Sequence, residues 1–396
     1  MKYALILPDG AADEPLDELD GRTPLEAADT PGMDEIATSG RQGTLVTVPE
    51  GFPAGSDVCT LSVLGYHPRD CYTGRAPIEA AARGIELRDD QICFRCNFVT
   101  IVDEVMEDFT AGHISDREAA ALVESLNAEL GGSGVRFHAG VSYRNLMVID
   151  DPATADVTAT PPHDIIGQPI AKYLPTGKGS AMVRDLMQRS REVLAGHDVN
   201  QVRCDLGESP ATSIWLWGQG RRPSLRSFES VYGVRGAAVG AVDLFRGLAR
   251  LVGWEVIAVE GATGYIDTNF AGKGAAAVEA LGRFDLAVVH VEAADEAGHN
   301  GDARQKIEAI EAIDRHVVMP VLRELQGFEE GWRILVAPDH PTPVARRTHT
   351  RVPPPFCMAG GNVHAVMKRP FTEANAAASD LHVDPGSDLM AHFLRR

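Results

Sequence analysis

Short apolar segments alternate with longer segments of helical periodicity over most of the chain. Glycine or acidic residues follow the apolar segments, which is typical of an α/β domain whose mainly parallel sheet is flanked by helices. The predicted strands are Tyr3–Leu7, Ser213–Trp217, Ala237–Gly240, Glu255–Val259, Leu286–Val291 and Ile334–Ala337. The predicted helices are Val242–Leu251, Gly272–Leu281 and Arg304–Leu325, the last with a kink at Pro320.

The pattern is different in the middle of the chain. Ile92–Val102 and Val141–Ile149 alternate apolar and polar residues, and between them Ser115–Leu130 has a helical pattern that opens with a capping-box sequence. This combination indicates a small α+β domain rather than more of the parallel sheet.

We therefore predict a smaller α+β domain inserted into the larger one. The inserted domain is expected at residues 85–170, and the larger domain is expected to comprise residues 1–84 and 171–396. The proline-rich sequence at Thr160–His163 is the predicted hinge.

Charge and hydropathy exclude several classes of protein. The 396 residues include 37 Lys and Arg against 56 Asp and Glu, giving a formal net charge of −19. Nucleic acids and anionic membranes are therefore poor partners. No apolar run approaches the roughly 20 residues of a membrane span, and the segment from Met1 to Leu7 is too short for a signal peptide. A homo-oligomer is compatible with the sequence but is not determined by it.

The six cysteines are too sparse for a disulfide scaffold, so a reducing cytoplasm is the expected location. Cys93 and Cys96 form a CxxC sequence, but the surrounding residues are predicted to form a strand. A strand directs residues three apart to opposite faces, which disfavours a zinc or redox site there.

Acidic and histidine residues follow three of the predicted strands. These candidate metal ligands are Asp9, Asp295, His299, Asp339 and His340, with His349 further along the last loop. Ligands gather at the carboxyl ends of parallel strands, and carboxylates mixed with imidazoles suit two divalent ions, manganese or zinc more than magnesium. Each residue alone could instead be a turn cap, a surface pair or an exposed loop histidine; only their joint placement favours metal.

Ser56 is the candidate nucleophile. It precedes a helical pattern at Asp57–Leu64, so its hydroxyl is expected beside unpaired backbone N–H groups and the positive end of the helix dipole. That position suits a phosphoryl group or an alkoxide. An ordinary N-cap serine would produce the same local sequence.

Several of these sequences together resemble a known family. The ligand and nucleophile set resembles the alkaline phosphatase superfamily in Asp9-Gly10, Gly55-Ser56-Asp57, Asp295-Glu296-Ala297-Gly298-His299, Ala337-Pro338-Asp339-His340 and Arg347-Thr348-His349-Thr350. Further segments resemble the archaeal-type, cofactor-independent phosphoglycerate mutases: Leu64-Gly65-Tyr66, Tyr72-Thr73-Gly74-Arg75, Val141-Ser142-Tyr143-Arg144, Thr160-Pro161-Pro162-His163-Asp164, Ile214-Trp215-Leu216-Trp217-Gly218-Gln219-Gly220 and Gly261-Ala262-Thr263-Gly264-Tyr265. The resemblance extends from residue 1 to about residue 356.

The resemblance implies an alkaline-phosphatase-like fold and two divalent metal ions, with manganese expected and zinc or cobalt as alternatives. It assigns one metal to Asp295, His299 and His349, and the other to Asp9, Ser56, Asp339 and His340. It implies that Ser56 takes the phosphoryl group from 3-phosphoglycerate and returns it to the 2-hydroxyl, a step of glycolysis and gluconeogenesis. The inserted domain is the expected lid that excludes water.

The substrate carries a phosphate and a carboxylate, so a chain of net charge −19 must supply local positive charge. Arg75, Arg95 and Arg144 are the candidates because each lies in or beside a family-like sequence. Each could equally be a surface or interdomain salt-bridge arginine. His163 is a candidate acid or base, or simply a hinge histidine.

Three positions depart from the family pattern. Asn145 stands where a histidine is usual, His113 where an arginine is usual, and Arg351-Val352-Pro353-Pro354-Pro355 where Ser-Asp-Pro-Val-Pro is usual. None is a proposed ligand, but the first two are on the substrate side. A homoserine-kinase-like phosphotransferase or a phosphatase is therefore the alternative function. A metal-stabilised binding module is disfavoured because it would not need Ser56 or open coordination positions.

Overall fold

The computed structural model describes residues 1–132 and 134–394. The chain forms two compact units, a larger unit of Met1–Tyr72 with Ser224–Arg396 and a smaller unit of Thr73–Pro223. Among the residues described, no helix has the length and apolar composition needed to cross a bilayer.

The secondary structure follows the mixed α/β pattern expected from the sequence. The strands are β1 (Lys2–Pro8), β2 (Arg41–Leu45), β3 (Ile92–Val102), β4 (Val105–Asp108), β5 (Val135–Val141), β6 (Arg144–Ile149), β7 (Val157–Thr158), β8 (Thr176–Gly177), β9 (Ser213–Arg221), β10 (Gly236–Val239), β11 (Glu255–Ile257), β12 (Leu286–Val291), β13 (Trp332–Val336), β14 (Pro355–Gly360) and β15 (His382–Val383). The helices are α1 (Pro24–Ala27), α2 (Pro31–Ser39), α3 (Ser56–Val63), α4 (Pro68–Cys71), α5 (Arg75–Ala82), α6 (Asp116–Glu129), α7 (Ser180–Ala195), α8 (Asp198–Asp205), α9 (Phe228–Tyr232), α10 (Asp243–Leu251), α11 (Phe270–Arg283), α12 (Ala293–Asn300), α13 (Ala303–Ile313), α14 (Met319–Gln326), α15 (Glu373–Ala377) and α16 (Asp388–Phe393).

The larger unit is built on a mainly parallel sheet, as predicted. Its strand order is β11-β10-β12-β1-β13-β14-β2-β15, in which β14 runs antiparallel to both of its neighbours. The central strands β1, β12 and β13 are almost wholly buried, which explains why their sequences are continuous apolar runs. The predicted helix at Arg304–Leu325 is divided into α13 and α14 by a π-helical turn at Asp314–Val318, just before Pro320.

The smaller unit contains an antiparallel sheet with helices, the α+β organisation expected of the insertion. Strand β3 pairs with β6 and β9, β5 extends the sheet beyond β6, and β4 pairs with the end of β3. Cys93 packs with Ala76 and Ala80, whereas Cys96 belongs to the main core of this unit. The two thiols therefore lie on opposite faces of β3, as the strand period requires.

The smaller unit extends beyond the predicted limits of 85 and 170 at both ends. The predicted strand at Ser213–Trp217 belongs to β9, which pairs antiparallel with β3 instead of joining the parallel sheet. Helix α7 packs on β9, and α5 packs on β3 and β9, so both helices belong to this unit. The predicted hinge at Thr160–His163 consequently lies inside the unit rather than at its edge.

Candidate active site

Three neighbouring strands of the parallel sheet carry the predicted ligand residues at their carboxyl ends. Strand β1 pairs in parallel with β12 on one side and with β13 on the other. Asp9 directly follows β1, and Asp339 and His340 follow β13. Asp295 and His299 lie on α12, which begins two residues after β12. Adjacent strand ends therefore gather these side chains at one edge of the sheet.

Asp295, His299 and His349 form a first group of ligand atoms, all within 4.8 Å of one another. Their spacing on α12 places Asp295 and His299 on one face of the helix. Asp295 Oδ2 lies 3.3 Å from His299 Nε2, and Asp295 Oδ1 lies 3.4 Å from His349 Nε2. The Nε2 atoms of the two histidines are 2.9 Å apart.

A backbone carbonyl beside Nδ1 of each imidazole determines that this nitrogen carries a proton. Nδ1 of His299 lies 3.1 Å from the carbonyl oxygen of Arg347, and Nδ1 of His349 lies 2.8 Å from that of Ala54. A carbonyl only accepts, so both Nδ1 atoms donate, and each Nε2 atom is left to bind a proton or a metal ion. Histidine metal sites use this same arrangement. The hydrogen bond to Asp295 raises the pKa of His299 to about 9, so this imidazole attracts positive charge.

Asp9, Asp295 and His340 form a second group within 4.8 Å, so Asp295 belongs to both groups. His340 Nε2 lies 3.0 Å from Ser56 Oγ and 3.3 Å from Asp9 Oδ1. Asp339 Oδ2 is 3.7 Å from the same nitrogen. The structure thus brings the seven predicted residues into one cluster, which we call the acid–histidine cluster: Asp9, Ser56, Asp295, His299, Asp339, His340 and His349.

Ser56 is the first residue of α3, and Gly55 is the N-cap. Because Gly55 occupies the N-cap position, the alternative of an ordinary N-cap serine does not apply. The side chain is 9% exposed and its oxygen faces His340. Ser56 also lies at the N-terminal end of α3, where the positive end of the helix dipole favours a phosphoryl group.

The acid–histidine cluster carries an excess of buried negative charge. Burial raises the pKa of Asp9 well above its usual range, and the charges of Asp339, Asp295 and Glu292 raise it further. Among the described residues, Asp9 Oδ1 is buried without a hydrogen-bond partner. An orphaned carboxylate oxygen beside imidazole lone pairs fits divalent cations held by mixed oxygen and nitrogen ligands.

Three side chains that sequence reasoning missed orient the ligands. His290 Nε2 donates to Asp9 Oδ2 at 3.0 Å, and the Thr60 hydroxyl donates to Asp339 Oδ2 at 3.0 Å. Burial lowers the pKa of His290 to about 4, so this ring acts as a neutral donor. His290 could have been noticed because it is a histidine inside an otherwise apolar strand. The sequence around Thr60 contained no such signal. Such hydrogen bonds behind the ligands fix ligand orientation.

The third missed residue is Thr342, which connects two ligands. Its hydroxyl donates to Asp295 Oδ1 and lies 3.2 Å from His340 Nδ1. Since the hydroxyl proton is directed to Asp295, its lone pair accepts from the protonated Nδ1. His340 therefore also presents an Nε2 lone pair to Ser56 and Asp9.

Gly10 permits the close approach of the loop after β1 to α12. Its φ is 62°, in the left-handed region. A Cβ atom there would lie 2.5 Å from Asp295 Oδ1 and 2.6 Å from Asp295 Cα. A larger residue would consequently displace a ligand that belongs to both groups.

The smaller unit contains the predicted substrate-binding residues, which we call the arginine cluster: Arg75, Arg95, Arg144 and His163. Glu79 connects two of them, because its two carboxylate oxygens each lie 3.0 Å from the Nε atom of Arg75 or Arg95. Burial lowers the pKa of Arg95 to about 10, although Glu79 supports its charged form. Glu79 is itself buried, and no local sequence pattern indicated its role.

Aromatic rings connect the rest of the arginine cluster. The Arg95 guanidinium lies 4.2 Å from the centre of the Trp217 ring, and His163 packs edge-on against Trp217 at 5.3 Å. Arg144 lies 5.4 Å from the Tyr143 ring. Burial lowers the pKa of His163, and the charges of Arg95 and Arg75 lower it further while Asp164 opposes them. The cluster is therefore a cationic, aromatic-lined region suited to an anion.

Two departures from the family pattern lie beside the arginine cluster. Asn145 is buried, accepts a hydrogen bond from the amide of Gly140 and donates one to the carbonyl of Tyr143. His113 lies edge-on to the Tyr143 ring at 6.4 Å. Asn145 thus has a structural function in the turn between β5 and β6.

Curated proteins resemble the chain over nearly its whole length. A 2,3-bisphosphoglycerate-independent phosphoglycerate mutase from Methanothrix thermoacetophila is 50% identical, over 98% of both chains. A protein of the same description from Methanosarcina barkeri is 46% identical over 100% of both. The family model described as 2,3-bisphosphoglycerate-independent phosphoglycerate mutase matches residues 37–200.

Solved structures share the fold. A protein from Pyrococcus horikoshii superposes with a TM-score of 0.85 at 30% identity, covering 99% of this chain and 96% of that one. The cofactor-independent phosphoglycerate mutase from Thermoplasma acidophilum superposes with a TM-score of 0.68 at 25% identity, covering 100% and 99%. The likeness thus spans both units, each of which contains one of the two clusters.

Proposed function

Because this chain belongs to the family of 2,3-bisphosphoglycerate-independent phosphoglycerate mutases, we propose that it interconverts 3-phosphoglycerate and 2-phosphoglycerate through a phosphoserine at Ser56. The single observation that carries the phosphoserine is the position of Ser56 Oγ, which lies inside the acid–histidine cluster and 3.0 Å from His340 Nε2. No bisphosphoglycerate primer is required by this route.

In the first half-reaction, Ser56 Oγ gives up its proton and attacks phosphorus, the bond from phosphorus to the 3-oxygen of glycerate breaks, and that oxygen takes up a proton. In the second, the 2-hydroxyl of glycerate gives up its proton and attacks the phosphoserine, the bond from phosphorus to Ser56 Oγ breaks, and Ser56 Oγ regains a proton, so that the two half-reactions together consume and release none. The N-terminal turn of α3 stabilises the negative charge of the phosphoryl group in both steps.

Two divalent cations fit the acid–histidine cluster. Asp295, His299 and His349 would hold one, and Asp9, Ser56, Asp339 and His340 would hold the other. When bound, the cations would lower the pKa of the Ser56 hydroxyl and offset the charge of the phosphoryl oxygens. Manganese is the proposed metal, with zinc and cobalt as alternatives, because three imidazoles disfavour the hard magnesium ion.

The arginine cluster is the proposed recognition element for the anionic substrate. Glu79 holds the Nε atoms of Arg75 and Arg95, so both guanidinium groups have fixed orientations. Oriented guanidiniums bind carboxylate or phosphate bidentately, which a flexible lysine does not. Arg144 is exposed beside Tyr143 and is the third proposed contact.

The test is an assay of the purified chain with manganese and 3-phosphoglycerate, without bisphosphoglycerate. We expect 2-phosphoglycerate to form, and a phosphorylated Ser56 peptide to be recovered after acid quenching. Release of inorganic phosphate alone would indicate a phosphatase, and phosphorylation of homoserine by ATP would indicate the phosphotransferase alternative.

A further inference from the structure

We propose that Lys306 is a positioning residue for the metal site, because its ammonium joins the two loops that present Asp9 and His340. The inference rests on the proposed function for the identity of the ligands. Lys306 lies on α13 and is fully buried, outside the acid–histidine cluster. A buried ammonium needs strong partners, and the identity of these partners indicates its role.

Lys306 Nζ donates three hydrogen bonds to two different loops. In the loop after β1 it contacts the carbonyl oxygen of Ala12 at 3.1 Å and Asp13 Oδ2 at 2.7 Å. In the loop after β13 it contacts the carbonyl oxygen of Thr342 at 2.9 Å. The three protons of one ammonium are thus used to hold the two loops together.

Asp13 and Ala12 complete this connection. The Asp13 carboxylate accepts from the amide of Val344, with Oδ2 at 3.1 Å, and the Ala12 carbonyl accepts from the amide of Thr342 at 3.3 Å. Both acceptors are in the loop after β1, and both donors are in the loop after β13. Lys306 neutralises the Asp13 charge at the centre of this junction, where both side chains are fully buried.

The junction is directly connected to the ligands through Thr342. The carbonyl of Thr342 accepts from Lys306, while its hydroxyl contacts Asp295 and His340. A shift of the Thr342 backbone would therefore misplace ligands of both groups. Buried ion pairs add little net stability compared with apolar pairs, so stability alone does not account for this arrangement.

The test compares Mn²⁺ binding by metal-stripped full-length variants, measured by electron paramagnetic resonance without substrate. Lys306→Met keeps the length of the side chain but removes the ammonium. Arg333→Met is the matched control, because Arg333 is another buried cation of the larger unit and donates to the carbonyls of Gly361 and Phe393 instead of the ligand loops.

We expect Lys306→Met to raise the Kd for Mn²⁺ at least tenfold, and Arg333→Met to leave it within twofold of wild type even though its Tm falls. Excess Mn²⁺ should restore kcat of Lys306→Met, with KM for 3-phosphoglycerate unchanged. If Lys306→Met does not fold, Asp13→Asn should still raise the Kd at least threefold.

The inference would be overturned if Lys306→Met bound Mn²⁺ with unchanged affinity. If Lys306→Met does not fold, unchanged affinity in Asp13→Asn would overturn it. An equal loss of affinity in Arg333→Met, or a wild type that does not bind Mn²⁺, would also overturn it. A wild type that binds Mn²⁺ but does not isomerise phosphoglycerate would refute the proposed function and leave the role of Lys306 intact.

Discussion

The acid–histidine cluster of the larger unit and the arginine cluster of the smaller unit gather like charges of opposite sign. The first gathers buried carboxylates, whose mutual repulsion helps to raise the pKa of Asp9. The second gathers arginines, of which Arg95 has a pKa lowered by burial and by the nearby charges of Arg75 and Arg144. One cluster is therefore suited to cations and the other to anions, within a chain whose net charge is −19.

The two clusters also differ in how the fold supports them. Adjacent parallel strands place the acid–histidine ligands, and neutral hydrogen bonds from His290 and Thr60 orient them. In the arginine cluster a single buried carboxylate, Glu79, fixes two of the guanidinium groups. A metal site can be supported by neutral donors because its cation neutralises the ligands, whereas an arginine pair needs a permanent counter-ion.

Removal of the metal should have the largest effect, because it disables the acid–histidine cluster as a whole. We expect dialysis against a chelator to abolish isomerisation, and manganese, cobalt or zinc to restore it better than magnesium. Turnover measured by 2-phosphoglycerate formation checks this. Full activity in excess chelator would show that the cluster does not need a cation.

Ser56→Ala should abolish turnover while the fold is kept. The variant removes the proposed nucleophile but not the N-cap, which is Gly55, so the loss of stability should be below about 1 kcal/mol. Both isomerisation and phosphate release should disappear, and thermal unfolding should be nearly unchanged. Near-normal turnover would exclude the phosphoserine route.

Arg144→Ala tests whether the arginine cluster retains the substrate. Loss of a charge-assisted contact costs roughly 1.5 to 3 kcal/mol, so isomerisation should fall about 10- to 150-fold. Phosphate release should fall less, because Ser56 and the ligands are unaltered. The measurement is the ratio of 2-phosphoglycerate formed to phosphate released.

Arg88→Ala is the control for this prediction. Arg88 is an exposed arginine that pairs with Asp90 and Asp150. If Arg88→Ala changed the ratio equally, the effect of Arg144→Ala would not be evidence that Arg144 holds the substrate.

Glu79→Gln should have the smallest effect on catalysis among these changes. Without the shared carboxylate, Arg75 and Arg95 lose their orientation, and KM for 3-phosphoglycerate should rise up to about tenfold, or about 1.4 kcal/mol. Mn²⁺ affinity should stay at the wild-type value because Glu79 is in the other unit. Glu118→Gln, which weakens the pairing of Arg203 in the same unit, should leave KM unchanged. An equal rise in KM in the control would mean that the effect is only destabilisation.

The sequence by itself determined five of the eight strands of the larger sheet, β1, β10, β11, β12 and β13, and the edge at which the ligands lie, but it did not predict β2, β14 or β15. Buried parallel strands are continuous apolar runs, so β1, β12 and β13 were visible locally, and residues just past them were predicted to meet. The helical spacing of Asp295 and His299 was local information as well. Family-like sequences in fixed order predicted the mutase function and strengthened the prediction of Ser56 as the nucleophile.

Only the tertiary structure decided which distant elements pair. The pattern at Ser213–Trp217 predicted a strand but did not predict that it pairs with β3. Because of this pairing, the smaller unit spans Thr73–Pro223 instead of the predicted residues 85–170. Three further sets of contacts were also not predictable from the sequence. They are the pairing of Glu79 with two arginines, the membership of Asp295 in both ligand groups, and the ion pair of Lys306 with Asp13. Hydrophobic periodicity indicates which face of a helix or strand is buried. It does not indicate which distant residues come into contact. Buried charged side chains pair with whichever opposite charge the folded chain places beside them.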